Sequence, residues 1–479
     1  MDRRRFLASS ACVAAACGAS RSSLISGLAA PQSISLRIDP RRVAGVIPSG
    51  FMGLGYEISS VARPGLLSAT NTVYVQLVNN LGTSGVIRIG GNTSDYSTYS
   101  KDGAPDASPK STVVNESQIR DLGAFLEATG WQLIWGINLG GRNMNNAVEE
   151  AQSVAAAAGR RLLAIEIGNE PDLFAAGEAH RAKGYSYADY LREYRSYKSA
   201  LRARLPNVPL AGPDVARSTD WLTQFAIDEG ADLKLLTHHY YAEGPPQSPA
   251  STMDKLLQTD EKLARILEQC ELASRRTSVP YRICETNSCF GGGRPGVSDT
   301  LASALWGLDF LCTLAIANAA GANLETGVNQ LGFVSSYSPI DDNQPGSFTT
   351  KPLYYGMLAF AQASRGRRVS VEYDAAGMNI KAYAVRGDDG RLAMTLINKE
   401  ARTAASIRIA MAAAQFSRGR ILRLTGPSLD SKNGIALGGA TVAADGKWAS
   451  SEAEQLRLVD GEGQLSLPAA SAAIVILEQ

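Results

Sequence analysis

Eight times between residues 51 and 364, an apolar run of strand length gives way to a stretch with the 3.6-residue rhythm of an amphipathic helix. The strand-like runs cover 51–57, 85–90, 132–138, 162–169, 208–212, 233–241, 281–286 and the region around 324–334. The helical patterns lie near 70–81, 116–129, 145–158, 186–204, 218–228, 252–276, 298–320 and 351–364. Asn115 with Gln118 makes a capping box, and Ser298-Asp299 opens a long apolar helix. Continuous apolar strands alternating with helices indicate a parallel sheet covered on both faces. Eight such units match a (β/α)8 TIM barrel, with a doubly wound sheet as the competing arrangement.

After about residue 365 the rhythm changes to period two. Arg368–Tyr373, Asn379–Val385, Leu392–Asn398 and Ala473–Leu477 alternate as strands, and Gly387-Asp-Asp-Gly390 is a hairpin turn. The expectation is a C-terminal antiparallel β-sandwich over 365–479. Residues 33–40 also alternate but have no helix partner, so a strand within 30–45 is expected to join that sandwich. The barrel then occupies 46–364.

The first 29 residues read as an export signal of the twin-arginine type. Arg3-Arg4-Arg5-Phe6-Leu7 precedes a weakly apolar Ala-rich run, and Gly27-Leu28-Ala29 offers small residues for cleavage. Removing 1–29, with four Arg and one Asp, leaves 43 basic and 45 acidic residues. A near-neutral chain without charge blocks has no electrostatic footprint for nucleic acid or an anionic membrane. Cys270, Cys284, Cys289 and Cys312 are irregularly spaced, which implies neither a zinc site nor a disulfide framework.

In a (β/α)8 barrel the chemistry stands at the C-terminal ends of the strands. Those ends carry Tyr56-Glu57, Arg88, Gly91-Asn92 with Asp95, Asn138, Asn169-Glu170, Asp214, His238-His-Tyr-Tyr241 and Glu285-Thr-Asn-Ser288. Two carboxylates facing each other across a barrel mouth are the machinery of glycoside hydrolysis, one as proton donor and one as nucleophile or base. Glu170 and Glu285 fit those places. A buried Arg88 beside one of them would keep it ionised. With Tyr240 taken as inward-facing, strand alternation turns His238 inward as well and sends His239 and Tyr241 toward the helices. His238 is then a packed, supporting residue.

The segments Ile167-Gly-Asn-Glu170-Pro-Asp, Arg282-Ile-Cys-Glu285-Thr-Asn-Ser, Phe290-Gly-Gly-Gly293, Val297-Ser-Asp-Thr300 and His238-His-Tyr-Tyr241 resemble glycoside hydrolase family 79. That family holds bacterial exo-β-glucuronidases and animal heparanases among the retaining barrel hydrolases. The resemblance makes Glu170 the acid/base, Glu285 the nucleophile and Asn169 the partner of the sugar 2-hydroxyl. Tyr240 matches the tyrosine that steadies the nucleophile, while Glu57, Asn92 and Asp95 match the sugar-hydroxyl side of the subsite. Gly291 and Gly292 match the backbone donors to the uronate carboxylate, with Tyr337 beside them. Phe290 departs from relatives that carry Tyr, and Arg217 from heparanases that carry Gln.

The resemblance implies a retaining exo-β-glucuronidase acting on glucuronic-acid-containing oligo- or polysaccharides. It needs no cofactor or metal, and no membrane in the mature form. Two alternatives are an endo-acting, heparanase-like enzyme and a catalytically dead carbohydrate-binding protein. Endo action on a polyanion favours a basic cleft, whereas only Arg142, Arg217 and Arg294 are scattered among the strand-end loops. Oligomeric state is not legible from the sequence.

Overall fold

The computed structural model describes residues 32–104, 111–326, 335–344, 346–412, 415–451 and 454–479. The export signal expected over 1–29 lies outside them, as does most of the run around 324–334. Eight parallel strands close into a barrel. In chain order they are Gly53–Glu57, Val86–Gly90, Gln132–Ile137, Leu162–Ile167, Leu210–Val215, Leu233–Glu243, Tyr281–Cys289 and Ala322–Glu325. Each pairs with the next, and Leu324 opposite Leu54 closes the circle. The closed ring excludes the doubly wound alternative.

The helices follow their sequence signals with local adjustments. Glu116–Thr129 begins in the expected reciprocal box, Asn115 accepting from the Gln118 N–H and Gln118 from the Asn115 N–H. The pattern over 252–276 is two helices, Met253–Leu257 and Glu261–Thr277, the second capped by Asp260. The long apolar helix starts later than Ser298-Asp299 suggests, at Leu301. Ser298 and Asp299 instead bind the Arg294 and Gly296 N–H groups in the preceding turn. Among the described residues no helix is long and apolar enough to cross a membrane.

The C-terminal part is one ten-stranded sheet that takes in the N-terminal strand Gln32–Ile47. That strand runs antiparallel to Gly366–Tyr373 but parallel to Ala405–Met411, so the sheet is mixed rather than purely antiparallel. Alternation assigns faces but carries no information about strand direction. On Ser471–Glu478, Ala473, Val475 and Leu477 enter the sheet's own core with Ile34, Leu36 and Ile38. Ala472, Ile474 and Ile476 point the other way and merge with the barrel core. Period-two patterning on both faces therefore welds the sheet to the barrel, and the barrel mouth is left for the site.

Candidate active site

Glu170 and Glu285 meet at the mouth. The fourth strand ends at Ile167, Gly168 turns the chain at φ 83°, and Glu170 itself sits in the left-handed region at φ 51°, ψ 50°. A glutamate there is strained, and the surrounding structure must hold it. The Glu170 N–H donates to the Asp214 carbonyl at 2.9 Å. On the seventh strand the register slips between Ile283 and Glu285 against the sixth strand. A bulge of this kind turns two consecutive side chains to one side. Cys284 reaches Asp214 Oδ1 at 2.9 Å while Glu285 reaches Arg88. One carboxylate oxygen from each of Glu170 and Glu285, together with a ring nitrogen of His239, lie within 4.8 Å of one another.

Beneath the pair lies a buried charge network. Arg88, fully buried, donates to Glu285 Oε2 at 2.7 Å, Asp214 Oδ2 at 2.6 Å, Asn169 Oδ1 at 2.8 Å and Glu166 Oε2 at 3.2 Å. Burial alone would lower the Arg88 pKa, but Asp214, Glu166 and Glu285 more than offset it and hold the proton. His239 lies 3.0 Å from Glu170 Oε1 through Nδ1 and 2.8 Å from Asp214 Oδ1 through Nε2. Its pKa is raised against the pull of burial, chiefly by the Asp214 and Glu285 charges, which favours the imidazolium. Burial would raise Asp214, but Arg88 and His239 keep it well below the usual carboxylate range. Burial, then the Asp214 charge, push Glu166 up to about 7. Glu170 is raised mainly by burial, which favours the protonated acid.

The phase of the sixth strand is opposite to the sequence expectation. His239 and Tyr241 face the site, while His238 and Tyr240 point away. Tyr241 donates to Glu285 Oε1 at 2.9 Å. Tyr240 instead bonds Asp260 and stacks on Phe310 of an outer helix. His238 is buried outside the ring, with Nδ1 2.5 Å from the His239 carbonyl and its pKa lowered to about 4 by burial. The tyrosine beside Glu285 is therefore Tyr241, not Tyr240, and the histidine beside the two glutamates is His239, not His238. His-His-Tyr-Tyr presents the same residue types in either phase, so alternation could not choose between them.

A cleft of about 1230 Å³ opens over the pair. Glu57, Asn92, Gly291, Gly292 and Tyr337 line it as expected, joined by Thr93, Tyr241 and Phe290. Glu57 accepts from the Asn92 and Thr93 N–H groups and the Thr93 hydroxyl, and burial with the nearby Glu285 charge pushes it up to about 7. Gly291 and Gly292 hold φ of 71° and 88°, a backbone that glycine adopts freely. Asp95 is a correction, because it is buried outside the cleft lining, its oxygens accepting the N–H groups of Leu139, Gly140 and Asn169. It braces the loops from behind and does not line the cleft. Asn169 likewise gives its side-chain oxygen to Arg88.

Three further residues escaped sequence reasoning. Glu325 ends the eighth strand, buried, with its pKa raised by burial and then by Glu285 and Glu57. Lys262 and Arg265 come from one helix and join Arg217 in lining the cleft, as do Asp220 and Glu268. A helical i, i+3 spacing between the two cations was the available signal. The trios Glu170–His239–Glu285 and Asp214–His239–Cys284 have metal-ligand composition. In the second, Asp214 already pairs with Arg88 and His239, which leaves little reason for a cation.

A (β/α)8 barrel with two glutamates this close at its mouth, one clamped by arginine and tyrosine, defines a barrel glycoside hydrolase. Residues 382–474 match the glycosyl hydrolase family 79 C-terminal beta domain. A β-glucuronidase of Aspergillus niger is 29% identical over 378 residues, spanning 70% of this chain and 68% of that protein. Bovine heparanase is 26% identical over 266 residues, 52% of this chain and about half (46%) of its own length. The crystal structure of a 4-O-α-L-rhamnosyl-β-D-glucuronidase from Fusarium oxysporum 12S superposes with a TM-score of 0.74 at 19% identity, covering 92% of this chain and 99% of that one. The resemblance to glycoside hydrolase family 79 is thus supported by the match over 382–474 and by the β-glucuronidase and heparanase relatives.

Proposed function

We propose that this protein is a retaining exo-β-glucuronidase that removes terminal β-linked glucuronic acid from glycans. The observation that carries the reading is the asymmetry of the two glutamates at one mouth. Glu285 is held by the Arg88 guanidinium and the Tyr241 hydroxyl, which suits a firmly positioned nucleophile. Glu170 sits apart from Arg88 with its pKa raised by burial, which suits a proton donor. One oxygen of each glutamate lies within 4.8 Å of the other, which is compatible with the ~5–5.5 Å carboxyl separation of retaining enzymes.

In the first step Glu170 protonates the glycosidic oxygen while Glu285 attacks the anomeric carbon, giving a glucuronyl ester and releasing the alcohol. In the second, the Glu170 carboxylate takes a proton from water, which displaces Glu285 with a second inversion. Asn169, Glu57 and Asn92 serve the sugar hydroxyls, and the Gly291–Gly292 backbone with Tyr337 receives the uronate. The relatives' names and the glycine run support the uronic substrate. Arg217, Lys262 and Arg265 line the cleft together with Asp220 and Glu268, so the cleft is of mixed charge rather than a polyanion groove, and this supports exo over endo action. Export through residues 1–29 remains part of the proposal, testable by locating the protein in fractionated cells.

The decisive assay follows a short oligosaccharide with a non-reducing terminal β-glucuronate. Free glucuronic acid as the sole first product, released as the β-anomer, supports the reading. Internal cleavage, α-anomer release, or full activity of Glu285→Ala would overturn it.

A further inference from the structure

We propose that Asp172 is a positioning residue for Glu170, fastening the turn that carries the acid to the neighbouring loop of the barrel mouth. This rests on the reading of Glu170 as the acid/base. Asp172 Oδ1 accepts the Ala216 N–H at 2.9 Å, and Oδ2 accepts the Arg217 and Ser218 N–H groups at 2.9 and 3.0 Å. The three donors are consecutive and lead into the helix Thr219–Glu229, where a carboxylate is favoured by the helix dipole. On the other side of Glu170, its own N–H is bound by the Asp214 carbonyl at 2.9 Å.

The turn from Asn169 to Leu173 is thus stitched to the fifth-strand loop at two points, one at the acid itself and one two residues beyond it. The Leu173 N–H closes the turn onto the Glu170 carbonyl at 2.8 Å. Glu170 needs such fastening because its backbone is left-handed, and its side chain has His239 as its hydrogen-bond partner among the described residues. Released from Asp172, the turn can relax toward an unstrained backbone and carry the carboxyl away from the glycosidic oxygen. Glu285 sits on a different strand, held by Arg88 and Tyr241, and is not moved by that relaxation.

The effect is therefore confined to the proton transfers made by Glu170, and kcat/KM reports the first of them, proton donation. Asp172→Asn, which keeps shape but turns an amine toward N–H donors, and Asp172→Ala are compared with the unaltered protein on two substrates. Methyl β-D-glucuronide needs a protonated leaving oxygen, whereas 2,4-dinitrophenyl β-D-glucuronide does not. On the methyl glycoside kcat/KM is expected to fall about 100-fold in both variants, the scale set by misplacing a catalytic group by ~1 Å. On the dinitrophenyl glycoside it should fall less than about 3-fold, since proton transfer adds little there. Equal losses on both substrates, no loss on either, or failure of both variants to fold would overturn the proposal. Inactivity of the unaltered protein on both substrates would instead remove the glucuronidase reading itself.

Discussion

Tyr241 donates its hydroxyl to Glu285 Oε1 at 2.9 Å, while the adjacent Tyr240 turns to the opposite face of the same strand and bonds Asp260. Two neighbouring tyrosines are thereby separated into a site residue and a packing residue. Tyr241→Phe removes a hydrogen bond to a charged group, a loss of about 1.5–3 kcal/mol, and kcat/KM for a glucuronide should drop roughly 10- to 100-fold. Tyr240→Phe should leave kcat/KM within about 3-fold and lower the thermal midpoint, because it breaks only the Asp260 bond that ties the sixth strand to an outer helix. Steady-state kinetics with thermal unfolding of both variants distinguishes the two positions. The reverse pattern would restore Tyr240 to the site.

Arg88 is the second test. One guanidinium serves four acceptors with no exposed surface, so Arg88→Lys keeps the charge but cannot reproduce the fork. Asp214, Glu166 and Glu285 would be left buried and under-neutralised. Breaking a buried pair in this way costs about 3–5 kcal/mol, visible as a lower urea midpoint. Activity should fall at least 100-fold, since Glu285 would lose the clamp that positions it. A stable, active Arg88→Lys protein would mean that the network is redundant.

The barrel and both glutamates were legible because they rest on period and position. Apolar runs long enough to be strands, broken by helical rhythm, leave few architectures, and a carboxylate at a strand end is placed by the fold itself. The phase of His238–Tyr241 was not legible, since swapping faces leaves the pattern of residue types unchanged. Asp95 was misread because a carboxylate after a strand looks the same whether it binds sugar or three backbone N–H groups. The direction of the N-terminal strand and the bulge that brings Cys284 beside Glu285 are decided by pairing partners far away in the chain, on which local patterning is silent.

Glu150 offers a test of stability away from the chemistry. It is fully buried, Oε1 accepts from Trp135 Nε1 at 2.8 Å, and Oε2 has no hydrogen-bond partner among the described residues. Burial pushes it up to about 8 from an ordinary 4.5. A folded-state pKa above the unfolded one means that this residue's contribution is intact below pH 4.5 and is lost as pH rises toward 8. Glu150→Gln keeps an acceptor for Trp135 and cannot ionise. Relative to the unaltered chain it should be neutral near pH 4.5 and more stable by a few kcal/mol above pH 8, at ~1.4 kcal/mol per pKa unit. Denaturant melts across that pH range measure the difference, and a gap that does not grow with pH would sink the assignment.

His239 ties the charge network to the rate. Burial raises Glu170, and the hydrogen bond from the His239 imidazolium pulls it back down by favouring the carboxylate. Hydrolysis of a glucuronide with a poor leaving group requires Glu170 protonated, so kcat/KM should decline as pH rises through its pKa. His239→Gln retains a donor but removes the positive charge, so Glu170 should titrate higher still. The alkaline limb of the profile should then move up by roughly one pH unit, the low end of what an adjacent charge does. The plateau should fall as well, because Asp214 loses its bond to His239 Nε2. A profile of kcat/KM against pH for both proteins gives the sign directly. A limb that stayed in place would assign it to a group other than Glu170, and one that moved down would mean that His239 is neutral in the working enzyme.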